Sequence, residues 1–575
     1  MNTNTVRGLL ISDFTIDGLV PFLAAESESP SFNCEVAPFD QVMQLLLDEQ
    51  ADAWRLKPEM AVVWTRPQAA IKSFARLLNV EDVSTDEILA EVDRFAACLC
   101  DAARRVGALF VPTWTWPGYD RGLGLLSMST HIGPAYHLMR MNVRLAEAVA
   151  PAVNVHLVDA GRWMALAGAD ASNPKLWHLG KIAFGREVFK QAAADIKAGV
   201  RAIKGQTRKL VVLDLDDTLW GGIVGEVGWE NLNLGGHDPL GEAFSAFQRV
   251  LKALANRGIV LGIVSKNTEA VALEAIDRHP EMVLRRNDFV GWRINWDDKA
   301  QNLVDLAAEL NLGLGAVVFI DDSPVERARI REALPAVYVP DWPADKLLYE
   351  KALVELNCFD SVAIGEEDRA RTRMYVSERS RQAVRASVQS LEEYLRSLEL
   401  KLIAEQLSPA TLQRAAQLLN KTNQLNLTTR RMTEIQFMEW AGADGHQVYV
   451  FRVADRFDDY GLTGIASLAV DGDAVYVADF VMSCRVIGRG VEQGIMHVLI
   501  EHAREAGRKQ LVADYAPTPL NAPCKLFFDE HSSLTRVSDG NRYVWDLLKP
   551  YPAPAHITIQ GDGEAISTAA VASEK

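Results

Sequence analysis

Short apolar runs, each followed by a stretch with apolar residues at helical spacing, limit most what this chain can fold into. In the N-terminal third such runs stand at Gly8 to Ile11, Met60 to Trp64, Ala108 to Val111 and Val153 to Val158. Between them, Ser84-Thr85-Asp86-Glu87 supplies an N-cap and early acids for a helix, and His137 to Ala150 carries apolar residues at helical spacing. Strand runs alternating with helices predict a parallel, doubly wound sheet. The pattern restarts at Lys209 to Leu213, Gly258 to Val264 and Ala316 to Ile320. Helices are expected from about Leu240 to Asn256 and, capped by Asn295-Trp296-Asp297-Asp298, on to Leu310. Each strand then delivers its polar residues to the carboxyl edge, where doubly wound sheets bind ligands.

At 575 residues the chain is too long for one hydrophobic core. Ile364 to Leu400 is rich in Arg and Glu with helical propensity, and Val448 to Val453, Gly464 to Val470 and Ala474 to Val481 predict antiparallel strands ahead of a helix over Val491 to Ala506. The stretch after Pro554 is short of large apolar groups. The expected organisation is an α/β domain over 1–205, a second over 206–345, a helical connector over 346–400, an α+β domain over 401–550 and a disordered tail over 551–575. The net charge of −16 and the lack of a basic block speak against a nucleic-acid partner. No apolar run reaches membrane-spanning length and no leader is evident, so a cytoplasmic protein without a membrane partner is expected. The cysteines Cys34, Cys98, Cys100, Cys358, Cys484 and Cys524 are scattered without a Cys-x-x-Cys pair, which argues against a zinc site or a disulfide framework.

The chemistry concentrates at the second set of strand ends. Asp214 and Asp216 leave the first strand together, Ser265 ends the second, Lys299 lies in the first turn of a capped helix, and Asp321 with Asp322 ends the third. A phosphoryl group under attack by a carboxylate gathers negative charge, so a divalent cation is needed, and hard oxygen ligands suit Mg²⁺. Asp214, the main-chain carbonyl of Asp216 and Asp321 are the expected metal ligands, with Asp322 orienting Lys299 or reaching the metal through water. Ser265 and Lys299 are expected to hold phosphate oxygens, Asp214 to attack, and Asp216 to protonate the leaving oxygen and then activate the next nucleophile.

This set resembles the four motifs of the haloacid dehalogenase superfamily. More narrowly, Asp214 to Glu226, Ser265-Lys266-Asn267, Ile294-Asn295-Trp296 and Phe319 to Arg327 look like the FkbH-type family, over nearly the whole chain. The resemblance implies a Mg²⁺-dependent enzyme that takes a glyceryl-type three-carbon unit from 1,3-bisphosphoglycerate, loses the phosphates and loads an acyl-carrier protein for polyketide assembly. The segments after Asp216 and between Ser265 and Lys299 have no room for a large capping domain, so the pocket is expected to be open. Many members are expected to place a cysteine just before the motif serine, and here Val264 stands there. That departure leaves direct attack by the carrier thiol, another thiol such as Cys484, or a simpler phosphatase.

Arg485-Val486-Ile487-Gly488-Arg489-Gly490 follows a strand and opens a helix, a spacing similar to the Arg/Gln-x-x-Gly-x-Gly/Ala loop of GNAT acyltransferases. Asn521 to Phe528 resembles the late segment of that fold. Arg485, Gly488 and Gly490 are therefore the expected contacts of a carrier's phosphopantetheine arm or of coenzyme A. The first domain resembles an SGNH-hydrolase sheet, but Leu10 to Thr15 departs from the Gly-Asp-Ser signature and no Asp-x-x-His stands near His178, so a structural or binding role is expected there. The expected fold class is thus α/β: a HAD-type Rossmann-like parallel sheet without a large cap, flanked by an SGNH/flavodoxin-like α/β domain and a GNAT-like α+β domain. Two other readings compete with the acyltransferase: a stand-alone phosphatase on a small phosphorylated metabolite, and a non-catalytic carrier-binding scaffold.

Overall fold

The computed structural model describes residues 5–561 apart from 389, 423, 433, 519–520 and 538–539. The chain divides into two compact units, Met1–Thr372 and Arg373–Lys575. No helix of the described residues is long and apolar enough to cross a membrane.

The first unit contains two parallel sheets. Strands β1 (Val6–Ser12), β2 (Phe32–Val36), β3 (Met60–Trp64), β4 (Ala108–Pro112) and β5 (Val155–Val158) form one in the order β2-β1-β3-β4-β5. Every pair in it is parallel. Both faces are covered, as a parallel sheet requires. Leu9 and Ile11 pack with Val63, Leu109 and the helix Thr85–Ala103 on one face, and Leu10 packs with Val62, Phe110 and the helix Arg186–Ile203 on the other. Ser84 caps the helix Thr85–Ala103 by accepting from the Glu87 amide, as its sequence predicts. β2 escaped the sequence reading because it is an edge strand whose polar Asn33 and Glu35 interrupt the apolar pattern.

The second sheet has the order β8-β7-β6-β9, from β6 (Leu210–Leu213), β7 (Val260–Ser265), β8 (Phe289–Ile294) and β9 (Val317–Ile320), again all parallel. β6, β7 and β9 are wholly buried. The strands are joined through one main helix each, Pro239–Asn256, Glu269–Arg278 and Lys299–Glu309, so no cap domain is inserted. The start of the expected connector belongs to this core instead. Tyr349, Leu353 and Phe359 are buried in it, and Tyr349 packs its ring against Phe244, Phe247 and Trp342.

The second unit is built on a mostly antiparallel sheet in the order β16-β17-β15-β14-β13-β12-β10-β18. Its strands are β10 (Leu400–Gln406), β11 (Leu425–Asn426), β12 (His446–Ala454), β13 (Asp459–Asp471), β14 (Ala474–Met482), β15 (Gln510–Asp514), β16 (Thr535–Arg536), β17 (Arg542–Asp546) and β18 (Ile557–Gln560). The helix Val491–Glu505 makes the crossover between β14 and β15, which pair in parallel only over Ala474 to Val477. The far end of β14 pairs with β11 instead. The fold class is the expected one, an α/β chain with parallel sheets and an α+β unit.

The expected tail is corrected as well. Residues 557–560, placed in a disordered tail over 551–575, form β18 and pair in parallel with β10. Ile557 and Ile559 are buried while Thr558 and Gln560 face outward, a period of two too short to register against the polar stretch around it. Residues 562–575 lie outside the described residues. Ile559→Ala is expected to cost about 2–4 kcal/mol in denaturant unfolding and Thr558→Ala less than about 0.5 kcal/mol.

Candidate active site

Parallel alignment of β6, β7 and β9 brings their last residues to one edge. The ladder between β6 and β9 runs one step further, with the Asp214 amide donating to the Ile320 carbonyl at 3.0 Å. Asp214 and Asp321 therefore leave neighbouring strands side by side. Lys299 reaches between them from the helix Lys299–Glu309, whose N-cap Asp298 accepts from the amides of Ala300 and Gln301.

The Lys299 ammonium donates to Asp321 Oδ2 at 2.7 Å and lies 3.0 Å from Asp214 Oδ1. The second contact is electrostatic and off the hydrogen-bond direction, so Asp214 Oδ1 is buried with no hydrogen-bond partner. Burial works against the charge on Lys299, but the two carboxylates outweigh it and hold the ammonium above its ordinary range. Asp321 is fully buried, and burial followed by the charge of Asp214 raises it to about 6 despite Lys299. One carboxylate oxygen from each of Asp214, Asp321 and Asp322 lies within 4.8 Å of the others. Three hard oxygens at that spacing fit a divalent cation of the hard class, and Asp214 also carries the buried acceptor without a hydrogen-bond partner.

Asp216 is held differently. Trp220 Nε1 and the Val224 amide donate to its Oδ1 at 2.9 and 3.1 Å, and Asn267 Nδ2 donates to its Oδ2 at 2.8 Å. Burial nevertheless pushes its carboxyl above the ordinary range. The turn that projects it is fixed at Asp217, which adopts a φ of +56°. Aspartate tolerates this left-handed conformation because its short side chain bonds locally: the Gly222 amide donates to Oδ1 at 3.0 Å, and Lys346 pairs with the same oxygen. Thr218 Oγ1 accepts from the Asp322 amide at 3.0 Å, which ties the first strand end to the third. Arg327 donates to the carbonyls of Asp321 and Asp322 at 2.7 Å each, and the Ser323 amide donates to Asp321 Oδ1 at 2.8 Å. Ser265, at the end of β7, is buried and accepts from the Asn295 amide through its own carbonyl.

The structure thus assembles Asp214, Lys299, Asp321 and Asp322 directly, with Asp216 and Ser265 at the ends of adjoining strands. Sequence reasoning assigned no role to Asn267, Trp220, Thr218 and Arg327, although all lie within motif stretches. Lys346 had no local signal at all, since 128 intervening residues separate it from Asp217.

Among the described cysteines none is an activated thiol. Burial raises Cys34, Cys358 and Cys524 to about 12, and Cys98 and Cys100 are also raised, by burial and then by Asp101. The side chain of Cys484 lies outside the described residues. Val264 is fully buried in β7.

In the second unit, Gly488 and Gly490 take φ values of +78° and +82°, and a Cβ at Gly490 would stand 2.7 Å from His556 Nε2. The Gly488 amide, expected to face a ligand phosphate, donates instead to Glu492 Oε1 at 2.6 Å. Glu492 is buried, which raises its carboxyl. Arg485 donates to Ser483 Oγ at 3.1 Å. Arg489 pairs with Glu378 at 2.9 Å and donates to the Tyr460 hydroxyl.

No family model and no curated protein matches the chain. Among solved structures, it is similar to the N-terminal part of protein BF1531 from Bacteroides fragilis, described as containing a phosphatase domain complexed with Mg. The two are 27% identical with a TM-score of 0.57, over 62% of this chain and 95% of that one. The ribosomal-protein-S18-alanine N-acetyltransferase of Escherichia coli is 12% identical over 25% of this chain and 90% of its own, with a TM-score of 0.19. A mutant form of spermidine N-acetyltransferase SpeG from Vibrio cholerae is 11% identical over 25% and 94%, with a TM-score of 0.20. At such scores the architecture of the second unit rests on its own strand order.

Lys299→Met leaves Asp214 and Asp321 buried side by side without a cation. In metal-free buffer it should lower stability by about 3–5 kcal/mol at pH 8. The loss should be smaller at pH 5, where protonation relieves the repulsion; chemical denaturation at the two pH values measures both.

Proposed function

We propose that the chain is a Mg²⁺-dependent phosphoryl-transfer enzyme with Asp214 as nucleophile. The observation that carries this is the buried Asp214–Lys299–Asp321 cluster with Asp322 beside it at the open edge of a parallel sheet. The Mg bound by the Bacteroides fragilis phosphatase-domain structure supports the choice of ion. Asp214, Asp321 and the Asp216 carbonyl would hold it, with Asp322 nearby, and it supplies charge neutralisation for the phosphoryl oxygens.

The protein's own groups then divide the work. Asp214 attacks phosphorus, the P–O bond to the leaving group breaks, and Asp216 gives that oxygen its proton. Its raised carboxyl, kept in place by Trp220 and Asn267, suits a group that must be protonated before the step and ionised after it. A water deprotonated by Asp216 then cleaves the phosphoaspartate, restoring both residues. Lys299 and Ser265 position the phosphate oxygens.

The finer reading follows the FkbH-type resemblance: a glyceryl-type three-carbon unit moves from a 1,3-bisphosphoglycerate-like acyl phosphate to an acyl-carrier protein. Bond accounting separates the two phosphates. Attack by Asp214 on the acyl phosphate would release an unactivated acid, so the carbonyl carbon must be attacked by a thiol with phosphate leaving, and Asp214 acts on the remaining phosphate ester. Buried Val264 and the raised thiols of the described cysteines favour the carrier's own thiol as that nucleophile. The same residues also suit the second reading, a phosphatase that acts on a small phosphorylated metabolite without a carrier.

Incubation with Mg²⁺, 1,3-bisphosphoglycerate and a holo carrier protein should add a glyceryl mass to the carrier. Phosphate release with no acyl mass on carrier or enzyme overturns the acyltransferase and leaves the phosphatase. Asp214→Asn should abolish phosphate release, by at least about 10³-fold; unchanged release rejects the aspartyl mechanism.

Proton and cation compete at Asp321. With its carboxyl raised to about 6, the group is ionised above that pH and protonated below it, so Mg²⁺ affinity should fall as pH drops through 6. The rise in melting temperature on adding Mg²⁺ should be large at pH 8, small at pH 5, and lost at both in Asp321→Asn.

A further inference from the structure

The phosphoryl chemistry makes no use of the first sheet, yet that sheet carries a built crevice. The chain leaves β1 for β2 on one side and returns as β3 on the other, so its direction of winding reverses between β1 and β3. In open parallel sheets such a reversal leaves a ligand-sized gap outside the carboxyl ends of the two strands.

Asp13 follows β1, and Thr65 and Arg66 follow β3. The Asp13 carboxylate, 2% exposed, accepts from the Arg66 amide at 2.8 Å and from Arg66 Nε at 2.7 Å. The guanidinium carbon sits 3.8 Å from the ring centre of Trp177, and the Lys181 ammonium lies 5.0 Å from the same ring. The arginine is therefore fixed on one edge by a carboxylate and on one face by an indole. Its Nη1 and Nη2 donate to no described residue. Arg66 also lines a cavity of about 150 Å³, together with Thr65, Gln68, Thr115, Asn173 and Trp177 among others.

Among the described residues that line the cavity there is no histidine, aspartate or glutamate to serve a hydroxyl as base. Ser12 Oγ accepts from the Phe14 amide at 3.1 Å and donates to the Phe14 carbonyl, so it is turned into its own loop. His178 is exposed and does not line the cavity. The remaining features are a rigid two-nitrogen fork, neighbouring amide and hydroxyl groups, and two cations against one carboxylate. We propose that this cavity binds a small carboxylate anion whose oxygens bridge Nη1 and Nη2 of Arg66. A planar guanidinium matches a planar carboxylate in paired hydrogen bonds, and the volume admits only a few heavy atoms.

Isothermal titration of the full chain with acetate, lactate and malonate, in buffer with EDTA and no divalent cation, tests this. At least one of these should bind saturably at one site per chain. Arg66→Lys keeps a charge for Asp13 but removes the fork, and should weaken binding at least tenfold. Thr115→Phe fills the cavity without touching the ion pair, and should abolish binding with the far-ultraviolet spectrum unchanged. Asp214→Asn should leave binding unaltered, which separates this site from the phosphoryl site. No binding by any of the three acids, binding indifferent to both cavity variants, or binding of inorganic phosphate alone overturns the proposal.

Discussion

A lysine ammonium buried between two carboxylates governs the second sheet's edge. Two carboxylates cannot both stay ionised in a water-poor site unless a cation sits between them, and Lys299 is that cation in this structure. Its position depends on backbone choices made well away from it. β6 and β9 must be neighbours and parallel for Asp214 and Asp321 to emerge together, and Asp298 must cap the helix that presents Lys299. The surrounding bonds from Ser323, Arg327 and Thr218 then fix the third strand end against the first. Because the cluster is buried, its stability responds to the proton that Asp321 can take up.

Both parallel sheets of the first unit use this logic with different chemistry. At the edge of the second sheet one compact ammonium faces the carboxylates of Asp214 and Asp321 with Asp322 nearby, so the cluster is short of positive charge. At the edge of the first sheet the cation is a guanidinium with its Nε committed to Asp13 and its other two nitrogens donating to no described residue. The same strand-end geometry therefore gathers carboxylates around an ammonium in one place and holds a guanidinium against a carboxylate in the other.

The second unit shows how a loop's spacing can be right while its occupancy is not what the spacing suggests. Gly488 and Gly490 have the positive φ that the turn needs, and the helix Val491–Glu505 starts where expected. The Gly488 amide nevertheless faces the chain's own Glu492, and Arg489 is drawn to Glu378 and Tyr460. A glutamate two places into a helix reads as an ordinary favourable acid in a first turn. Nothing local in the sequence says that it is buried and folded back over the loop.

Periodicity by itself determined the strands whose both faces are apolar, because burial on both sides leaves an uninterrupted run: β3, β4, β6, β7 and β9 were all legible. The positions of Asp214, Ser265, Asp321 and Asp322 at strand ends were legible as well, since those residues end or directly follow such runs, and Lys299 was legible through the cap of its helix. Edge and half-exposed strands such as β2, β10 and β18 were not, because alternation over a few residues is lost among polar neighbours. Only the tertiary structure decided which strands lie side by side, that Tyr349 and Lys346 return to the second sheet, and that Asn267 and Trp220 hold Asp216. Those are contacts between residues tens to hundreds of positions apart. A local pattern records which face of an element is apolar, but it carries no record of what that face or its end will meet.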